Sequence, residues 1–293
     1  MRIKIYLLFA GLLLLGFCIG AEIAAAAEKP VIRFGVNLRF HPITMYERYQ
    51  PMMDYLTRNT PYRFELKISR DYQETIRFLA EGKIDICSIG DGGLMRAMLF
   101  NGAVPIVKPL DEAGKPFYRS DFIVRADSPI RSLQDLKGKK VAFGYKHSTT
   151  GNLIPREMLL QNGIRVDQLG SVTNLKHHGE VARAVLKGKF DAGVVKESTA
   201  LRYREKGLRI IAHSEELPSI PLIVRRGTPK EVREAITAAL VKLDRGNLKD
   251  QQIMKSWDLE YQYGFVAAQA ADYRKLTGKF RDIAYGCGAG CHK

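Results

Sequence analysis

Short apolar runs alternate with amphipathic stretches along most of this chain, and the period of the apolar positions switches between two and about 3.6. Val31 to Asn37 (VIRFGVN) and Tyr62 to Ile68 (YRFELKI) read as strands, the second alternating as a half-buried strand does. Ile84 to Ile89 (IDICSI) reads as a third. Amphipathic patterns between them predict helices over Tyr46 to Arg58 and Tyr72 to Glu81. A second series opens with the strand Val141 to Gly144. It continues with a helix over Gly151 to Gln161, a strand at Val172, a helix over Glu180 to Leu186 and the strand Asp191 to Val195. Beyond Pro229 the pattern is helical, over Lys230 to Leu243, Gln251 to Trp257 and Ala267 to Phe280. Strands alternating with helices imply an α/β protein with mainly parallel sheets flanked by helices.

An internal echo suggests how these series are arranged. Phe122-Ile123-Val124-Arg125 precedes a turn with Ser128-Pro129, and Leu222-Ile223-Val224-Arg225 precedes a turn with Thr228-Pro229. Two similar strands bracketing the second series are expected if one lobe is inserted into the other and these strands are the hinges. The expected lobes are residues 28–121 with 222–293, and residues 122–221. Two ordinary strands that happen to look alike are the alternative. A two-lobe α/β fold places its ligand cleft beyond the carboxyl ends of the strands, and closes about the hinge.

The first 27 residues have the composition of a secretory signal. Arg2 and Lys4 are followed by an apolar run from Ile5 to Ile19 and by Ala24 to Ala27, the small residues needed for cleavage. The run is too short to span a bilayer comfortably, which takes about 20 residues. Cys18 follows Phe17 rather than a small residue, which favours cleavage near Ala27 over lipidation. The expected protein is soluble, periplasmic and monomeric, with roughly 265 residues after cleavage. A formal charge of +15 is compatible with nucleic acid, a membrane surface, an anionic ligand or simply a solvated basic surface. Export, scattered Lys and Arg and the lack of an RNA-binding motif argue against nucleic acid.

The densest local chemistry is Phe143-Gly144-Tyr145-Lys146-His147-Ser148-Thr149-Thr150-Gly151-Asn152-Leu153-Ile154-Pro155. A strand ends at Gly144 and three successive hydroxyls lead into a helix. Free backbone N–H groups, the hydroxyls and the positive end of the helix dipole together suit a tetrahedral oxyanion. Ser148 or Thr149 acting simply as an N-cap accounts for the same residues, and the two readings stay open at this point.

The run Ser132 to Pro155 (SLQDLKGKKVAFGYKHSTTGNLIP) resembles the phosphonate/phosphite/phosphate-type periplasmic binding proteins of ABC transporters. Further matching pieces follow in order: Asp71-Tyr72, Gly82-Lys83-Ile84-Asp85, Gly114 to Tyr118, His178, Ala184-Val185 and Lys187 to Gly193. The resemblance covers roughly Val31 to Arg225 and implies a type II periplasmic binding protein fold. It implies that the turn Ser148, Thr149, Thr150 and Gly151 holds the anion oxygens, with His178 facing them, and that an ABC permease or membrane sensor receives the loaded protein. A helix-capping or surface role is the alternative for His178.

The chain departs from the family pattern in two places. Where relatives carry a tyrosine after the third strand, this chain reads Gly90-Asp91-Gly92-Gly93-Leu94, which replaces the phenol with Leu94 and adds Asp91 as a ligand-facing acid or a helix cap. After the Asp191 strand it reads Lys196-Glu197-Ser198 where some relatives carry an acid for a ligand amine; the resemblance gives that part to Glu197, and Lys196 is a candidate partner for an anion.

Cys87 lies in a strand and reads as a small core residue. The tail Cys287-Gly288-Ala289-Gly290-Cys291-His292 admits three readings. One is a short-loop disulfide between Cys287 and Cys291. Another is c-type haem, with thioethers at both cysteines and His292 on the iron, although the spacing is one residue wider than the usual Cys-x-x-Cys-His. The last is a metal or redox dithiol. The leading function is therefore oxyanion capture for an importer, with a haem-carrying sensor or redox protein as the alternative. An enzyme would need a nucleophile–base pair or paired acids, and His178, Asp91 and Glu197 stand isolated in the sequence.

Overall fold

The computed structural model describes residues 28–38, 41–146 and 148–279. The expected signal segment, residues 1–27, together with His147, Cys287, Cys291 and His292, lies outside the described residues. In chain order the first elements are β1 (Val31–Asn37), α1 (Pro42–Asn59), β2 (Arg63–Ser69), α2 (Tyr72–Ala80), β3 (Ile86–Ser88), α3 (Asp91–Asn101) and β4 (Val104–Pro109). Then come β5 (Phe117–Tyr118), β6 (Ser120–Arg125), β7 (Lys140–Phe143), α4 (Ile154–Gln161), β8 (Ser171–Asn174), α5 (His178–Leu186), β9 (Ala192–Lys196) and α6 (Glu197–Arg204). The chain finishes with β10 (Leu208–His213), β11 (Leu217–Pro218), β12 (Leu222–Val224), α7 (Lys230–Val241), α8 (Leu248–Lys255) and β13 (Phe265–Ala267).

All but two of these strands form two sheets, ordered β13-β4-β12-β3-β1-β2 and β10-β6-β9-β7-β8. In the first, β1 is flanked in parallel by β2 and β3, from Val31 opposite Arg63 to Asn37 opposite Ser69 on one side. In the second, β7 is flanked in parallel by β8 and β9. Helices cover both faces of each sheet, so its interior strands are buried on both sides and read as apolar runs. Phe34, Val36, Val141 and Phe143 are fully buried, for example.

The echoed strands have equivalent places in the two sheets. β6 lies antiparallel between β10 and β9, and β12 lies antiparallel between β4 and β3. Each is the first strand laid down after the chain changes sheets, so each runs against its neighbours. They are not the crossing segments, which corrects the sequence reading. The crossings are made by β5 and β11, which pair antiparallel as a separate two-stranded sheet, Leu217 opposite Tyr118. Two-residue strands carry no periodicity that a sequence pattern could display.

Helix starts follow local chemistry. Asp71 caps α2 by accepting the Glu74 N–H at 2.8 Å, and Asn247 caps α8. α1 begins four residues before the expected Tyr46 because Pro42 occupies its first turn, where a missing N–H costs nothing. The helix expected over Ala267 to Phe280 is also revised. Residues 265–267 form β13 on the edge of β4, a 3₁₀ turn covers Ala270–Tyr273, and only then does a helical run begin. Cys87 is fully buried in β3, and burial pushes its thiol up, as suits an inert core residue.

Ile223 on β12 is fully buried in the core that continues under both sheets, while its neighbours Leu222 and Val224 face the opposite core. Ile223→Ala should therefore lower stability by about 2–5 kcal/mol, measured as a reduced urea midpoint at unchanged slope. A loss within ~0.5 kcal/mol would show that β12 is not an organising strand of the first sheet.

Candidate ligand-binding cleft

The hydroxyl-rich segment folds as one wide turn of helix, Thr149–Leu153, running directly into α4. Ser148 is its N-cap: its Oγ accepts the Gly151 N–H at 3.0 Å, and its carbonyl accepts the N–H groups of Asn152 and Leu153 at 3.1 Å each. The capping reading thus holds for Ser148. Thr149 and Thr150 are buried, each about 1% exposed. Thr150 hands its carbonyl to the Ser120 hydroxyl at 2.6 Å. Thr149 differs, because its Oγ1 is buried with no hydrogen-bond partner among the described residues. Such an orphan costs about 1–3 kcal/mol in a finished core, and is expected where a ligand completes the site.

Two glycines make the turn possible. The Gly144 N–H donates to the Gly151 carbonyl at 2.6 Å, so the end of β7 and the start of the helix touch backbone to backbone. A Cβ on Gly151 would stand 2.9 Å from the Gly144 Cα, 3.1 Å from Ser148 Oγ and 3.3 Å from His178 Cε1. Only glycine fits here, and the same close approach brings His178 against the turn. A scaffold of amides holds it from behind: Asn174 Nδ2 donates to the Gly144 carbonyl at 2.7 Å and to Asn152 Oδ1 at 3.1 Å, and Arg156 Nε donates to that same oxygen at 2.9 Å.

His178 is the first residue of α5, in line with the turn at the carboxyl end of the sheet. Its Nδ1 accepts the backbone N–H of Lys196 at 3.3 Å. That bond leaves Nδ1 without a proton, so the neutral ring carries its hydrogen on Nε2 and is a donor there. Burial is the main reason its pKa is pushed down to about 4, with the Lys196 ammonium adding to the shift and Glu260 opposing it. At neutral pH the ring is an uncharged donor.

The other sequence-predicted residues, Asp91 and Glu197, each begin a helix. Asp91 is the first residue of α3, whose cap position is Gly90, and α3 packs against the turn. Asp91 thus stands one position past the cap, and its side chain lies outside what the structure describes. Glu197 starts α6, and its N–H donates to the Arg119 carbonyl at 2.9 Å. It sits beside Asp121, which is fully buried and bonded to His213 Nδ1 at 2.9 Å. Burial raises Asp121 to about 6, the His213 hydrogen bond works against that rise, and the Glu197 charge adds to it. Lys196 is half-buried and pairs with Glu260 at 2.9 Å. The structure thus joins Ser148, Thr149, Thr150, Gly151 and His178 in one site, with Glu197 towards the crossing strands. Among the described residues no cluster of three His, Cys, Asp or Glu side chains is arranged to hold a metal ion.

Sequence reasoning missed Ser120, Asn174, Glu260 and the Tyr72–Tyr145 pair, whose rings stack across the cleft with centroids 6.1 Å apart. Asn174 was findable, because it ends a strand at the carboxyl edge of the sheet. The other contacts join distant segments and leave no local signal.

The two lobes, their crossing strands and a donor-lined cleft at the carboxyl ends of the strands define a type II periplasmic-binding-protein fold. The model of the family described as "ABC transporter, phosphonate, periplasmic substrate-binding protein" matches residues 34–273, and the chain belongs to that family. It is 31% identical over 158 residues to the phosphate-import protein PhnD of Mycolicibacterium smegmatis, a match covering 50% of this chain and 48% of that protein. It is 25% identical over 224 residues to the phosphonates-binding periplasmic protein of Escherichia coli, covering 72% of this chain and 66% of the relative. The chain thus matches about half to two thirds of the length of these curated relatives. PhnD1 from Prochlorococcus marinus, solved in complex with methylphosphonate, superposes with a TM-score of 0.72 at 17% identity, covering 88% of this chain and 99% of that one. None of these likenesses supports the haem-carrying alternative.

The depressed His178 pKa has a consequence for stability. Below about pH 6.5 the unfolded chain takes up a proton that the folded one refuses until about pH 4, so this residue's contribution is lost as pH falls through that window. Relative to His178→Asn, the wild type should lose stability between pH 6.5 and 4 in urea titrations. A pH-independent difference between the two proteins would mean that the ring is not desolvated.

Proposed function

We propose that this protein captures a small phosphonate- or phosphate-like oxyanion in the periplasm and presents it to an ABC permease, performing no chemistry on it. The observation that carries this reading is the buried Thr149 hydroxyl, without a partner among the described residues, in a turn that packs against the neutral donor His178. An oxyanion there would meet hydroxyls, the Nε2–H of His178 and the first N–H groups of the helix, which have no intrahelical acceptors. Neutral donors and a helix dipole solvate such an anion without a full ion pair. Family membership and the names of the relatives support the same ligand class.

A thermal-shift series with phosphate, phosphite, methylphosphonate and sulfate should show stabilisation by at least one of the phosphorus anions. Ligand at a hundred times Kd contributes roughly 2.7 kcal/mol to the folded state. No shift with any of them would remove the oxyanion reading.

Removing the orphan hydroxyl at nearly constant volume, as Thr149→Val, should weaken binding about tenfold while leaving the ligand-free melting temperature equal or higher, because the change also removes a buried unsatisfied group. Ser148→Ala combined with Thr150→Ala should likewise cost at least about tenfold. Isothermal titration decides: unchanged affinity in both folded variants would move the anion away from this turn.

A further inference from the structure

Lys196 is the last residue of β9 in the second sheet, and Glu260 lies in a 3₁₀ turn, Leu259–Tyr261, that packs with the first. Their side chains meet at 2.9 Å across the cleft, with 20% and 29% of the side-chain surface exposed. Screening of such a partly enclosed pair is weaker than on an open surface. Both ends are firmly held. Lys196 is paired within the sheet opposite Ser120, and its ammonium stands 4.8 Å from the ring centroid of Tyr118, on the crossing strand β5. The Glu260 turn is capped by Asp258, whose Oδ1 accepts the Glu260 N–H at 3.2 Å. It is anchored by Tyr261, 1% exposed, whose hydroxyl bonds to Ser88 at the end of β3.

We propose that Lys196 and Glu260 form a latch between the lobes that sets the affinity of the cleft without contacting the anion. The latch rests on the capture reading for its purpose, though not for its existence. The Lys196 ammonium is directed to a carboxylate of the opposite lobe and to the Tyr118 face. The Lys196 backbone N–H, meanwhile, fixes the His178 ring at the anion site. One residue therefore sits on both the closing contact and the anion donor. Closing the lobes brings Glu260 to Lys196, and opening them separates the pair. A binding-competent closed state already populated without ligand raises the apparent affinity in proportion to its population. The stacked Tyr72 and Tyr145 add a second contact of the same kind, without charge.

The test uses the mature protein, small-angle scattering without ligand and stopped-flow binding of methylphosphonate. Glu260→Gln and Lys196→Met should each enlarge the radius of gyration of the ligand-free protein. Each should also speed methylphosphonate dissociation about three- to tenfold, with little loss in association rate. The exchanged pair, Lys196→Glu with Glu260→Lys, should restore both compactness and residence time, which a ligand-contacting lysine would not. Unchanged compactness in the single variants overturns the latch. So does tighter binding by Glu260→Gln, the result expected if Lys196 were an anion ligand held back by its partner. If the wild type binds no anion while the single variants still expand, the capture reading fails and the latch stands.

Discussion

The backbone contact between Gly144 and Gly151 is the constraint on which the rest of the site depends. A hydrogen bond of 2.6 Å closes the strand end onto the helix start, and neither position has room for a Cβ. This contact places the hydroxyls of residues 148–150 at the carboxyl edge of the second sheet and brings the His178 ring against Gly151. A side chain at either glycine would push the two strands of backbone apart. The hydroxyls would still cap a helix, but they would no longer share a site with the imidazole.

Around that contact stand neutral donors: the hydroxyls of the turn and the His178 ring. The His178 ring is kept uncharged by burial and by Lys196, and its tautomer is fixed by a backbone N–H. Lys196, whose backbone N–H bonds that ring, is committed through its ammonium to a carboxylate of the opposite lobe. Arg156 braces the turn through Asn152 instead of entering the cleft. The formal charge of +15 belongs to the chain as a whole and suits an anionic partner, while the groups gathered at this turn are hydroxyls, an imidazole and helix N–H groups.

The site is also tied to the region where the lobes join. Ser120 is fully buried at the start of β6, and its hydroxyl holds the Thr150 carbonyl while its backbone exchanges hydrogen bonds with Ser214. Asp121 and His213 fasten the same two strands one residue further in. The hydroxyl turn is thus braced directly against β6 and the end of β10, the strands that adjoin the crossing segments. The geometry of the site and of the hinge region is coupled through a few buried hydrogen bonds in a low-dielectric setting, where such bonds are costly to leave unmade.

The sequence by itself determined the elements and the chemistry that are local. Alternating apolar runs marked the principal strands, amphipathic periods marked the helices between them, and Ser148 to Gly151 stood out as a hydroxyl turn entering a helix. These features depend on neighbours within a few residues, so a pattern can display them. Tertiary structure alone decided that the echoed strands are interior partners of separate sheets and that two-residue strands make the crossings. It also decided that Thr149, rather than Ser148, holds the hydroxyl without a partner among the described residues, and that Lys196 faces Glu260 across 64 positions. Such facts rest on contacts between segments far apart in the chain, and the energy of a contact is set by what it touches and how deeply it is buried, which no local pattern encodes.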